Sequence, residues 1–333
     1  MPPLRRLALA LLGATLVAAP VTAAPVAAHS RPESRAIVTF PIPGDAVFPE
    51  GVAADPRNGN FYVSSTTDGT IFRGNVRQPS RELEPFLPGG ADGRTSATGL
   101  KVDRRGRLFV SGGGTGQMWV YDTGSRKLLA HFDTGNGAAS FINDVAVTPN
   151  GDAFFTDSLI PVLYRVRAST LRHPSSTVRA PERFLDFNGT PVVYQTGFNL
   201  NGIAPSADGR QLLTIQSNTG QLFRIDVASR KVAEVPVEGG PLTAGDGILL
   251  EGRRLFVVRN QFELIVTVAL GRKLDEGRVV AQFTDAALQF PTTVARSHGL
   301  LLVVNSQFDR RGAGQPPVLP FTIAGVPVER VLG

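Results

Sequence analysis

The chain has 333 residues, 42% hydrophobic and 19% charged, which is enough apolar material for a sizeable core. It contains no cysteine, which excludes disulfide bracing, thiol catalysis and thiolate-ligated zinc. The formal net charge of +6 comes from arginines scattered through turns (Arg104, Arg105, Arg253, Arg254, Arg310, Arg311), not from one basic stripe, and this argues against a nucleic-acid partner.

At the N-terminus, Arg5-Arg6 precede an apolar run from Leu7 to Ala19, 13 residues and too short to span a bilayer. Small residues follow, with cleavage expected after Ala23 or Ala28. Residues 1–28 are therefore read as a secretory signal peptide, 29–35 as a flexible segment and 36–333 as one domain. The expected location is extracytoplasmic. Without the leader the chain keeps 32 Lys+Arg against 28 Asp+Glu, and it has no second apolar stretch of membrane length. A soluble mature protein without a membrane span is expected.

From residue 48 onward one pattern recurs. FPEGVAADPRNGNFYVSS is a short apolar strand, a polar turn and a second strand rich in β-branched and aromatic residues. GLKVDRRGRLFVSG, DVAVTPNGDAFFTDS, GIAPSADGRQLLTIQS, GILLEGRRLFVVRN and TVARSHGLLLVVNS repeat it. The turn glycines, Gly59, Gly106, Gly151, Gly209, Gly252 and Gly299, lie 47, 45, 58, 43 and 47 residues apart. Each unit continues into further strand pattern, and three or four short strands in about 45 residues make one propeller blade. The fold class is all-β, a six-bladed β-propeller. Ala36–Phe40 is expected to close the last blade beside the C-terminal strands. The 58-residue interval holds an insertion: LRHPSSTVRAPER reads as an outer loop, and DFNGTPVVYQTGFN runs to the top of the next blade. Asn188-Gly189-Thr190 within it reads as a turn.

The residues heading the six innermost strands are Glu50, Thr98, Asn143, Asn201, Asp246 and Thr292. All six should meet at one mouth of the central channel, and all offer oxygen. Converging carboxylates repel each other and resist desolvation unless a cation neutralises them. Glu50 and Asp246 supply two negative charges, and Asn143 and Asn201 supply neutral carbonyl oxygens. Such a set suits calcium, or another hard divalent cation such as Mg2+ or Mn2+, better than a zinc-type or redox metal.

The pairs Glu50-Gly51, Asn143-Asp144, Asn201-Gly202 and Asp246-Gly247, each at its own blade, resemble those of the senescence-marker-protein, gluconolactonase and LRE-like (regucalcin-like) family. These proteins are six-bladed propellers related to the paraoxonases and to strictosidine-synthase-like propellers. The resemblance implies metal-dependent hydrolysis of lactones or related esters, with the ion at Glu50, Asn143, Asn201 and Asp246 and a general-base role for Asp246. The related paraoxonases use a histidine pair near the metal, and His29, His131, His173 and His298 do not match it. Sugar-lactonase members carry an arginine where this chain has Phe141, so a moderately apolar small-molecule lactone or ester is the expected substrate.

Asp246 is the first choice of base and Asp144 the second. Thr98, Phe141, Thr292, Tyr194 and Phe198 are expected around the substrate, with Thr156-Asp157-Ser158, Gln216, Asn260 and Asn305 at the mouth. Two other functions fit the same pocket: a non-catalytic propeller stapled by its metal, and a cyclase, isomerase or lyase.

Overall fold

The computed structural model describes residues 36–332. Residues 1–28, read from the sequence as a leader, and the segment 29–35 lie outside the described residues.

Six sheets, antiparallel apart from one added two-residue parallel strand in each of two of them, are arranged as the blades of a β-propeller. Their innermost strands are Pro49–Ala54, Leu100–Val102, Ile142–Val147, Leu200–Pro205, Gly245–Glu251 and Pro291–Ser297. Each inner strand contacts the inner strands of its two neighbours, and Pro49–Ala54 meets Pro291–Ser297, so the ring is closed. Closure is made by Val38–Ile42, which pairs antiparallel with Phe321–Pro327 as the outer strand of blade 6, leaving the first and last parts of the ring in one sheet.

The repeating sequence pattern follows from how the blades pack. Six buried apolar clusters each lie between two neighbouring blades. Successive residues of the second strands point into different clusters: Phe154 packs toward blade 4 and Phe155 toward blade 2. A strand buried on both faces reads as a continuous apolar run, as AFF within Ala153–Asp157 and LFVV within Arg254–Arg259 do. Truncating one such phenylalanine to alanine costs about 3–5 kcal/mol.

Five of the six turn glycines adopt positive φ (Gly106, Gly151, Gly209, Gly252 and Gly299). Gly59 does not. Its turn is held by Asp55, whose Oδ1 accepts from Arg57 N at 3.0 Å. At Gly59 a side chain would be tight instead, since a Cβ would lie 3.0 Å from Asn75 Oδ1.

In the insertion, Val178–Arg179 adds a fifth strand in parallel to the outer strand of blade 2, Leu128–Asp133. Asn188 is exposed in a turn. Helix among the described residues is confined to short 3-10 turns and one five-residue α-helix, Phe308–Gly312, which sequence periodicity does not register.

Candidate metal and catalytic site

Five of the inner strands share one irregularity. Their register with the second strand shifts between Pro49 and Val52, Ile142 and Val145, Leu200 and Ile203, Gly245 and Ile248, and Pro291 and Val294. These bulges contain Glu50-Gly51, Asn143-Asp144, Asn201-Gly202, Asp246-Gly247 and Thr292-Thr293. A bulge turns the side chain of its residue out of the pleat, and here it directs residues toward the channel. Glycine follows three of them because the next strand is close: a Cβ on Gly51 would lie 2.3 Å from Thr98 O, and one on Gly202 2.4 Å from Asp246 O.

Glu50, Thr98, Asn143, Asn201 and Asp246 line a single cavity of about 530 Å³ at this mouth. Its lining includes five phenylalanines, Phe141, Phe198, Phe262, Phe290 and Phe308, and no lysine, arginine or histidine. An apolar wall with a few convergent polar groups is the usual character of a small-molecule site. The other ends of the inner strands open on a separate cavity that includes Lys101, Val102, Val147, Pro205 and Leu250.

The side chains at the cavity floor are held in distinct ways. Asn143 Nδ2 donates to Ser158 Oγ at 2.8 Å, and Asn201 Nδ2 to Ser217 Oγ at 3.1 Å. Asp246 Oδ2 accepts from Asn260 Nδ2 at 2.8 Å. Glu50 Oε2, Asn143 Oδ1 and Asn201 Oδ1 are buried without a hydrogen-bond partner. Unpaired buried oxygens are costly. Three of them beside a carboxylate, with no nitrogen or sulfur ligand, fit a hard divalent cation. Among the described residues no three His, Cys, Asp or Glu side chains form a metal-binding group. The set here is half amide.

The electrostatics point the same way. Burial pushes the Glu50 carboxyl well above its ordinary range, and the charges of Asp246 and Asp144 add to this while Lys101 opposes it. Burial likewise pushes Asp246 up to about 7; the Asn260 amide works against that rise and the Asp144 charge adds to it.

The structure separates the other expected site residues. Both oxygens of Asp144 are engaged by backbone: Oδ1 accepts from Val145 N at 2.8 Å and Oδ2 from Ile203 N at 3.2 Å. Of the two candidate bases, Asp246 is the one lining the cavity. Thr98 borders the cavity, but its hydroxyl donates to Ile142 O at 2.8 Å and is shared with Asn143 O. Thr292 is fully buried and donates to Glu50 O at 2.7 Å. Phe141 and Phe198 meet edge to face at 4.8 Å on the cavity wall. Tyr194 is not part of the cavity lining; its hydroxyl donates to Asp157 O at 2.5 Å and its ring stacks on Phe187.

Of the residues expected to ring the mouth, Asn260 does so. Asp157 braces the Phe141 loop by accepting from Phe141 N at 2.9 Å. Gln216 is tied to Val193 O and Asn199 Oδ1, and Asn305 to Ala287 O and Thr322 Oγ1. Phe262, Phe290 and Phe308 are not evident as site residues from sequence, because each sits outside the repeat, in a 3-10 turn, a bend and the short α-helix respectively. Their common signal is a phenylalanine shortly before or after the repeated strand pair of blades 5 and 6, and it emerges only once the ring is assembled.

The molecule is thus a six-bladed propeller with an oxygen-lined pocket at one end of its channel. No protein-family model matches the chain. Among curated proteins it is similar to lactonase drp35 of Staphylococcus saprophyticus subsp. saprophyticus, 26% identical over 191 residues, or 56% of this chain and 53% of that protein. The chain therefore matches about half the length of this curated relative. Among solved structures, the major Malassezia sympodialis allergen Mala s 1 superposes with a TM-score of 0.62 at 15% identity, covering 86% of this chain and 95% of the other. The calcium-binding protein regucalcin from Agrobacterium tumefaciens gives 0.59 at 14% identity, covering 88% and 96%. Virginiamycin B lyase from Staphylococcus aureus gives 0.55 at 10%, covering 87% and 98%. These likenesses support the resemblance to regucalcin- and gluconolactonase-like six-bladed propellers.

Proposed function

We propose that the protein is an exported hydrolase of moderately apolar lactones or related esters, dependent on a divalent cation, calcium first. The observation that carries this reading is the set of unpartnered buried oxygens of Glu50, Asn143 and Asn201 beside Asp246, on the floor of one phenylalanine-walled cavity. The similarity to lactonase drp35 supports the reaction class, and the leader sequence supports export.

Glu50, Asn143, Asn201 and Asp246 would hold the ion. When bound, it supplies neutralising charge and Lewis-acid polarisation of a carbonyl. The chain's own residues do the rest. Phe141 and Phe198 seat the apolar part of the substrate and exclude water from it. The bond from Asn260 holds Asp246 Oδ2 and leaves Oδ1 to accept a proton from the attacking water. The water oxygen bonds to the carbonyl carbon, the ring C–O bond breaks, and the proton returns to the departing oxygen. Asp144 stands aside from this chemistry and braces the backbone between blades 3 and 4.

The test is a pH-stat screen of lactones and aryl esters with calcium and with chelator. Chelator-sensitive turnover, lost in Asp246→Asn and Glu50→Gln while the fold persists, is the expected result. A calcium-raised melting temperature without turnover of any substrate would leave a metal-stapled binding propeller instead.

A further inference from the structure

In blades 1, 3, 4 and 5 the residue that follows directly on the second strand lies close to the head of the inner strand. These residues are Thr66, Ser158, Ser217 and Asn260, each next to the partner of the residue that precedes the head. In three of the blades their chemistry matches the head residue they bond. The two amide heads, Asn143 and Asn201, each face a serine, whereas the carboxylate head Asp246 faces an amide donor.

A seryl hydroxyl has one proton. Ser158 Oγ gives its proton to Leu200 O at 2.6 Å, and Ser217 Oγ gives its proton to Gly245 O at 2.5 Å. Toward the neighbouring asparagine each Oγ can then only accept. An amide donates only through nitrogen, so Nδ2 must face the serine and Oδ1 must face the cavity. The two ends of an amide are nearly the same size, and without this constraint either end could point inward. Both Oδ1 atoms are accordingly buried and unpartnered. The accepting carbonyls belong to the residues just before Asn201 and Asp246, so each serine also ties one head residue to the backbone that carries the next.

We infer that Ser158 and Ser217 are positioning residues that select the oxygen end of Asn143 and Asn201 for the ion. This rests on the divalent-cation reading of the site. A group that orients a metal ligand in this way is worth about 10- to 100-fold in metal affinity.

The test is calorimetric titration of chelator-stripped full-length protein with calcium. Ser158→Ala and Ser217→Ala should each weaken binding at least ten-fold, whereas Ser→Thr, which keeps the hydroxyl, should restore it. The deciding measurement is a double-mutant cycle. In an Asn143→Asp background both terminal atoms are oxygens and orientation no longer matters, so Ser158→Ala should then change affinity less than two-fold. A serine with only a structural role would show the same loss in both backgrounds, and that result overturns the inference, as does parent-like affinity in both alanine variants. If one serine variant does not fold, the cycle of Ser217→Ala with Asn201→Asp decides the question in the same way. Failure of the parent protein to bind calcium, magnesium or manganese would instead overturn the cation reading, and this inference with it.

Discussion

Asn260 donates through Nδ2 to Asp246 Oδ2 over 2.8 Å, from the equivalent position at which Ser158 and Ser217 accept from asparagines. The bond favours the ionised carboxylate, the form a cation requires. Asn260→Ala should therefore let protons compete better for Asp246. Calcium affinity should fall about ten-fold at neutral pH and recover in part as pH rises, as read by titration calorimetry at several pH values.

The metal-free protein should show an unusual pH dependence. Asp246 has an ordinary value of 3.8 and is pushed up to about 7 in the fold, chiefly by burial. Between those values the folded chain keeps a proton that the unfolded chain has released. Stability should therefore fall as pH rises through this window, and the contribution is fully present only below 3.8. Melting in chelator should occur at lower temperature at pH 8 than at pH 5. Asp246→Asn should reduce that difference without abolishing it, because burial also raises the carboxyls of Glu50 and Asp144, and saturating calcium should reverse it.

Thr98 and Thr292 act across blade seams. Replacing either with valine removes a hydroxyl from a buried backbone carbonyl while nearly keeping its volume. A loss of about 1–3 kcal/mol is expected in denaturant unfolding. KM for any substrate turned over should stay within two-fold of the parent value.

The cavity wall should behave in the opposite way. Phe198 is 49% exposed and contributes little to the core. Phe198→Ala should raise KM for aryl esters several-fold and leave the melting temperature nearly unchanged. Tyr194→Phe, which breaks the hydroxyl bond to Asp157 O, should lower stability and leave KM alone.

The blade count, the closing strand and the four heads Glu50, Asn143, Asn201 and Asp246 are legible in the sequence. Each depends on a repeat of short range: an apolar run, a turn and a second run, with the head at a fixed place. The bulges are not legible, since a one-residue shift in pairing leaves the apolar pattern almost intact. The roles of Thr98 and Thr292 are hidden for a related reason. A threonine at a strand head looks the same whether its hydroxyl faces a cavity or a neighbouring blade's carbonyl. The loop of Tyr194 reaches the top of the blade, which suggests a place on the wall, but the hydroxyl bond to Asp157 O and the stacking on Phe187 keep the ring out of the cavity lining. Sequence puts Ser158 and Asn260 at the mouth without their function, because matching them to Asn143 and Asp246 requires the cross-strand register.

The most direct test of the central claim is an anomalous difference map from crystals soaked in manganese. One peak on the channel axis is expected, about 2.0–2.5 Å from oxygens of Glu50, Asn143, Asn201 and Asp246. A map with no peak there, at a manganese concentration that occupies other sites, would contradict the account.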